Sequence, residues 1–165
     1  ITQFDAPQNV KIALSEYLSK KYVSFVVDNK LYVYKGEYPN DERTLNDMDL
    51  IFESDLDITP TKFEVDGAGE FLIARDGSKL SVFDAELSKL HQYTLEGEQM
   101  FFLDLYLIGT IHDGNLIVCD FDNTNRRELT KATGQAIITK NNKWLYYLAV
   151  DDAGKANINR EQILD

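Results

Sequence analysis

Apolar and polar residues alternate along this chain in short runs, and the runs recur. Four segments join a polar turn to an alternating strand: DNKLYVY from Asp28, DGSKLSVF from Asp76, DGNLIVC from Asp113 and DDAGKANIN from Asp151. Their first aspartates stand 48, 37 and 38 residues apart. Leu31, Leu80, Leu116 and Ala156 form one column of this repeat, and Val33, Val82, Val118 and Ile158 form another two residues on. A period of two places both columns on one face of a sheet. Upstream of each turn an aromatic residue opens an apolar run: Tyr22, Phe71, Tyr106 and Trp144. These four are expected to be substantially buried in a second strand, at equivalent places in successive units.

The turns read Asp-Asn, Asp-Gly, Asp-Gly and Asp-Asp-Ala-Gly, residues that tolerate positive φ and close tight hairpins. A further apolar strand precedes each hairpin: VKIAL from Val10, TKFEV from Thr61, QMFFL from Gln99 and QAIIT from Gln135. A fourth follows the first three: LIFES from Leu50, KLHQYTL from Lys89 and RRELT from Arg126. Four antiparallel strands in roughly 40 residues make the blade of a propeller. The expected fold is therefore all-β, a β-propeller-type repeat of about four antiparallel four-stranded blades, closed as a small ring or forming part of a larger propeller.

We read residues 1–165 as a single propeller-like domain with blades at 9–58, 59–97, 98–132 and 133–165, residues 1–8 being a candidate closing outer strand. The polar stretch Glu37–Asp49 is expected to be an inserted surface loop, and a mobile one. Leu14, Tyr17 and Leu18 fall at helical spacing, so a helix over Ala13–Lys21 competes with a strand and turn. The strand reading is preferred because SEYLSKKYVSF aligns with VDGAGEFLI of the next unit.

Seventeen basic residues against 28 acidic ones leave a net charge of −11. That balance argues against a nucleic-acid partner and against adhesion to anionic headgroups. The most apolar stretch, Met100–Ile111, is interrupted by Asp104 and falls short of the ~20 residues of a membrane-spanning helix. No membrane insertion by this segment is expected. The chain opens on Ile1 without a basic, apolar leader, and is read as a fragment whose preceding part could carry a signal or anchor. Cys119 stands alone, so it forms no internal disulfide and leaves the redox compartment open.

Candidate chemistry is sparse. Cys119 falls in the same strand column as Tyr34 and Phe83, which marks it as a packing residue rather than a nucleophile. His91 and His112 lack ligand spacing to another His or Cys. Asp120, Asp122 and Thr124 alternate like a calcium loop, but Lys131 stands where a bidentate glutamate would close the site. Asp104 is an acid embedded in an apolar stretch, at a turn, with a lesser reading as a carboxylate at a channel mouth. Ser15, Ser24 and Ser78 lack a glycine elbow. No catalytic, cofactor-binding or metal-binding residue is assigned, and no cofactor is expected.

In the last unit TKNNKWLYYLAVDDAGKANI resembles the inner-strand signature of TolB-type propellers, and CDFDNTNRRELT resembles their outer hairpin. Asn141-Asn142 replaces the usual Asp-Gly, and Asn123 replaces a glycine. PQNVKIALSEYLSKKYVSFVVDNKLYVYKGEYP, TPTKFEVDGAGEFLIARDG and the closing units look like the C-terminal propeller region of membrane-anchored PEGA-domain proteins of bacteria with small genomes. That resemblance covers nearly the whole chain, although no PEGA motif lies within it. It implies an extracytoplasmic, cell-envelope domain anchored through a preceding segment. The functional expectation is a non-catalytic binding or scaffolding domain with a protein or glycan partner, as a monomer or part of a larger propeller chain. Two alternatives stay open: a propeller-type hydrolase with channel carboxylates, and spacer blades without a ligand.

Overall fold

The computed structural model describes residues 9–97, 99–102, 106–133, 136–138 and 144–162. The chain divides into two compact units, Ile1–Thr94 and Leu95–Asp165. In the first, sheet 1 comprises β1 (Val10–Tyr17), β2 (Lys20–Val27), β3 (Lys30–Lys35) and β4 (Asp49–Asp55). Sheet 2 comprises β5 (Lys62–Val65), β6 (Phe71–Asp76), β7 (Lys79–Asp84) and β8 (Lys89–Thr94). In the second unit, sheet 3 comprises β9 (Gln99–Phe102), β10 (Leu107–His112), β11 (Asn115–Asp120) and β12 (Arg127–Lys131). Sheet 4 comprises β13 (Ala136–Ile138), β14 (Trp144–Val150) and β15 (Ala156–Gln162). Strands pair antiparallel with their chain neighbours throughout.

Residues 13–21 form a hairpin rather than a helix, with Leu18 and Ser19 turning at φ 48° and 60° between Tyr17 and Lys20. The central hairpins of sheets 1 and 3 turn on Asp28-Asn29 and Asp113-Gly114. Sheet 2 differs from the expected Asp-Gly turn. Asp76 is the last residue of β6 and pairs with Lys79, so Gly77 (φ 58°) and Ser78 make the turn.

Each sheet has two unlike faces. The trailing face of sheet 1 carries Tyr22, Val26, Leu31 and Val33, and the leading face of sheet 2, with Leu72, Ala74 and Phe83, packs on it. Phe83 is 0% exposed, and its ring centroid lies 4.6 Å from that of Phe52. Sheets 3 and 4 meet in the same way. Ile111, Leu116 and Val118 of sheet 3 pack against Ala136, Leu145 and Tyr147 of sheet 4. Gly109 leaves room there for the Phe101 ring, which a Cβ would strike.

Pairing from the hairpin corrects two columns. In sheet 3 Leu107, not Tyr106, occupies the place of Tyr22 and Phe71, five residues before the end of its strand. Tyr106 precedes β10 and is 54% exposed, against expectation. A slip of one residue moves a side chain to the opposite face. In sheet 4 the longer turn Asp151–Lys155 adds the pair Val150 with Ala156 to the ladder. Ile158, rather than Ala156, then stands where Leu31 does, and it is 76% exposed because no described sheet covers that face. Trp144 keeps its expected strand position but is only half-buried, with the Arg160 guanidinium 4.7 Å from its ring centroid.

The Glu37–Asp49 stretch, expected to be mobile, is held at several points. Thr44 and Asp47 form a capping box around the single turn Leu45–Asp47, the Asp47 carboxylate accepting from Thr44 N–H at 2.7 Å. Met48 packs against Val23 and Phe25, and the Tyr38 hydroxyl donates to the Ser15 carbonyl at 2.8 Å.

The corrected register makes a measurable difference between two aromatics. Phe83→Ala should lower the unfolding free energy by about 3–5 kcal/mol, whereas Tyr106→Ala should stay within about 0.5 kcal/mol. Equilibrium urea denaturation decides it; similar losses at both sites would refute this face assignment.

Candidate functional site

A group of ionisable side chains collects where two turns of sheet 2 meet the end of β1. The turn Asp66–Glu70 is built around the Asp66 carboxylate, which accepts from Phe71 N–H at 2.8 Å and from Ala68 N–H at 2.9 Å. Gly69, at φ 80°, lies so close under the Glu16 carbonyl that a Cβ would collide with it. The second turn hangs on Asp84, whose Oδ1 accepts from Leu87 N–H at 2.8 Å. Between them Glu70 is 3% exposed, and its Oε2 has no hydrogen-bond partner. The Tyr17 hydroxyl donates to Glu86 at 3.0 Å.

Burial pushes the Glu70 carboxyl up from its ordinary range, and the neighbouring charges of Asp84, Glu86 and Asp66 push the same way. The nearby Tyr17 hydroxyl acts in the opposite direction. The cluster therefore places a carboxyl with a raised pKa inside a contact between two sheets. Sequence reading missed it. The signal was present for Asp84, which continues the inward column of Leu80 and Val82; Glu70 sits two residues before Leu72 on the opposite, leading face.

The residues singled out by sequence lie elsewhere and apart. Cys119 is buried in β11, and burial raises its thiol pKa. His91 is half-buried in β8, paired with Val82. His112 ends β10, its Nε2 3.4 Å from Asp113 and 3.6 Å from Glu96. Asp120 and Asp122 serve their own hairpin: Asp122 accepts from the Thr124 hydroxyl at 2.5 Å, and Asp120 accepts from the Asn125 amide at 2.5 Å. No group of three or more metal-ligating side chains occurs among the described residues. Ser15 and Ser24 are buried with unpartnered hydroxyls, and Ser78 is exposed in a turn. Asp104 lies outside the described residues.

At the opposite end of sheet 2 an open cavity of about 170 Å³ is lined by Asp57, Ile58, Lys79, Leu80, Gln92 and Tyr93, with Thr94 beside them. Gln92 Oε1 is already occupied there, accepting from Asp57 N–H at 2.8 Å and the Ser81 hydroxyl at 2.9 Å. No described helix is long and apolar enough to cross a membrane.

No family model and no curated protein sequence matches the chain. Its fold is similar to that of an uncharacterised protein from Listeria monocytogenes EGD-e, with a TM-score of 0.52 and 12% identity over 92% of this chain and 49% of the other. Hsv2p from Kluyveromyces lactis also matches, with a TM-score of 0.47 and 11% identity over 92% of this chain and 46% of that one. So does the WD40 domain of SCAP from fission yeast, with a TM-score of 0.41 and 9% identity over 94% of this chain and 52% of the other. The chain thus spans about half the length of the structures it matches. Its fold is all-β, a propeller-type repeat of antiparallel blades.

Two measurements follow from the buried groups. An acid with a raised native pKa binds more protons folded than unfolded, so its contribution is present below the ordinary carboxylate range and is lost as pH climbs through the native value. Relative to wild type, Glu70→Gln should be more stable at pH 7 by on the order of 1 kcal/mol, the gap closing as pH falls toward ~4. A parallel pair of stability curves between pH 4 and 8 would contradict this. Cys119 should react with a thiol reagent only as the second unit unfolds, so labelling in native buffer should be at least ~10-fold slower than in denaturant; equal rates would show the thiol to be accessible.

Proposed function

We propose that this chain is a non-catalytic binding or scaffolding domain of the propeller type, holding a protein or glycan partner at a bacterial cell envelope. The observation that carries the reading is the build of its exposed loops. The Glu37–Asp49 loop has a packed base at Met48 and Tyr38 and an exposed tip from Asn40 to Arg43. Asn40 Oδ1 accepts from both Glu42 N–H and Arg43 N–H at 2.9 Å, which shapes that tip. The Asp151–Lys155 loop is shaped likewise, its Asp151 carboxylate accepting from Ala153 N–H at 3.0 Å and Lys155 N–H at 2.9 Å. Polar loops pre-shaped on rigid strands lose little entropy when they bind, which is how scaffolds present recognition surfaces. The resemblance to TolB-type and PEGA-associated propellers supports an extracytoplasmic location, with anchoring outside this segment.

One observation favours a second reading. Glu70, whose carboxyl burial and the charges of Asp84 and Glu86 push up from its ordinary range, is the kind of carboxyl a propeller hydrolase would use as an acid.

Both readings meet in one set of variants. Replacing residues 40–43 by Gly-Ser repeats should abolish retention of envelope proteins or cell-wall glycans on the immobilised chain, with the far-ultraviolet spectrum unchanged; undiminished retention rules this loop out. Turnover of a chromogenic glycoside that vanishes in Glu70→Gln would replace the binding reading with the hydrolytic one.

A further inference from the structure

Among the described residues two faces of the repeat are left bare, and they are of opposite kind. The leading face of sheet 1 continues from Val23 and Phe25 across β1, where the register places Val10, Ile12 and Leu14 beside Val27, Phe25 and Val23. These three, with Leu50 of β4, are exposed, Ile12 by 67%. The inserted loop covers the middle of this face through Met48, Leu45 and Tyr38 and leaves β1 open. At the other end of the chain the trailing face of sheet 4 presents Tyr146, Leu148 and Val150 of β14, with Ile137 and Ile158 across the ladder. All five are exposed as well.

Within each unit, a trailing face is covered by a leading face: sheet 1 by sheet 2, and sheet 3 by sheet 4. Ile12 is the sheet 1 counterpart of Phe63, and Leu14 of Val65, side chains of sheet 2 that pack into that contact. The bare face of sheet 4 carries Trp144 and Ile158 at the places of Tyr22 and Leu31, which are buried where sheet 1 is covered. One bare face is thus built to cover, and the other to be covered.

We propose that the two faces bind each other between copies of this chain, the β1 face of one copy docking on the β14–β15 face of the next. The contact is head-to-tail, and the smallest closed assembly of such a contact is a dimer in which it occurs twice.

Sedimentation of the 165-residue chain tests this, with Ile12→Asp and Leu148→Asp as variants. Both positions are exposed, so each variant should fold with an unchanged circular-dichroism spectrum. Wild type at tens of micromolar should sediment at twice the 18.9 kDa of one chain, and each variant alone should dissociate at least tenfold more readily. Mixed in equal amounts, the two variants should associate more strongly than either alone, because one variant keeps the intact β1 face and the other the intact β14–β15 face. A monomeric wild type overturns the proposal, leaving these faces to other blades or partners. So does a dimer indifferent to both substitutions, or one broken by only one of them, since either outcome requires a contact of another kind.

Discussion

A four-stranded antiparallel sheet whose two faces are both apolar cannot stand in water, so the first unit rests on the contact between sheet 1 and sheet 2. Tyr22, Val26, Leu31 and Val33 on one side and Leu72, Ala74 and Phe83 on the other are all buried in it. Aromatics such as Tyr22 and Phe83 each remove roughly 150–250 Å² from water, which makes these two the largest contributors among them. The contact also tolerates defects. The hydroxyls of Ser15 and Ser24 are buried in the same face without partners, at a cost of about 1–3 kcal/mol each, and apolar burial around them must outweigh that. Serine at these two positions is small, and it lets the two sheets approach where Tyr22 already fills the space alongside.

The buried acid follows from the same approach. The turn Asp66–Glu70 of sheet 2 passes close under Glu16 of β1, which requires Gly69 and fixes the chain direction into β6. That direction carries Glu70 inward, two residues before Leu72, so the carboxyl enters the contact because backbone geometry puts it there. Asp66 and Asp84 escape the same penalty because turn amides satisfy them. Glu70 has an unpaired oxygen instead, and the protein meets the cost by favouring its protonated form.

The sequence made the repeat legible because strand alternation and turn residues carry the same information twice. Leu31, Leu80 and Leu116, with Val33, Val82 and Val118, are all buried as their period demands. Illegibility began where turn length varied. An aspartate marks a turn in three hairpins, but in sheet 2 Asp76 belongs to the strand, and the five-residue turn of sheet 4 shifts the count again. Tyr106 was placed by its aromatic character, one residue from the position that the ladder gives to Leu107. The hairpin at Leu18 and Ser19 was readable only by alignment with the next unit, since both adopt positive φ without the glycine or asparagine that usually announces it. The carboxylate cluster lay beyond sequence reading altogether. It joins residues from β1 and from two turns of sheet 2, and which of two acids in a turn finds an amide is decided by angles that a string of letters does not contain.

A repeat of sheets with unlike faces raises a problem that a symmetric core does not have, namely how a face without a covering sheet meets water. Repeat proteins commonly solve it with polar capping units. Here the first sheet follows that rule only halfway. The insertion between β3 and β4 lays Met48, Leu45 and Tyr38 over Val23, Phe25, Tyr32 and Tyr34, the part of the leading face that lies beneath the central strands. Its capping box and the Tyr38 bond to Ser15 fix it there, so the cover is a built element and not a chance collapse. Yet β1 keeps Val10, Ile12 and Leu14 where polar residues would serve a solvent-facing edge at no cost to the strand. Alternation supplies the contrast: Ser15, Ala13 and Lys11 fill the opposite face of the same strand, so the apolar choice is specific to the exposed side. A sheet that caps its centre and leaves its first strand greasy is shaped for partial cover, in the way that Leu72 and Phe83 are shaped for complete cover in sheet 2.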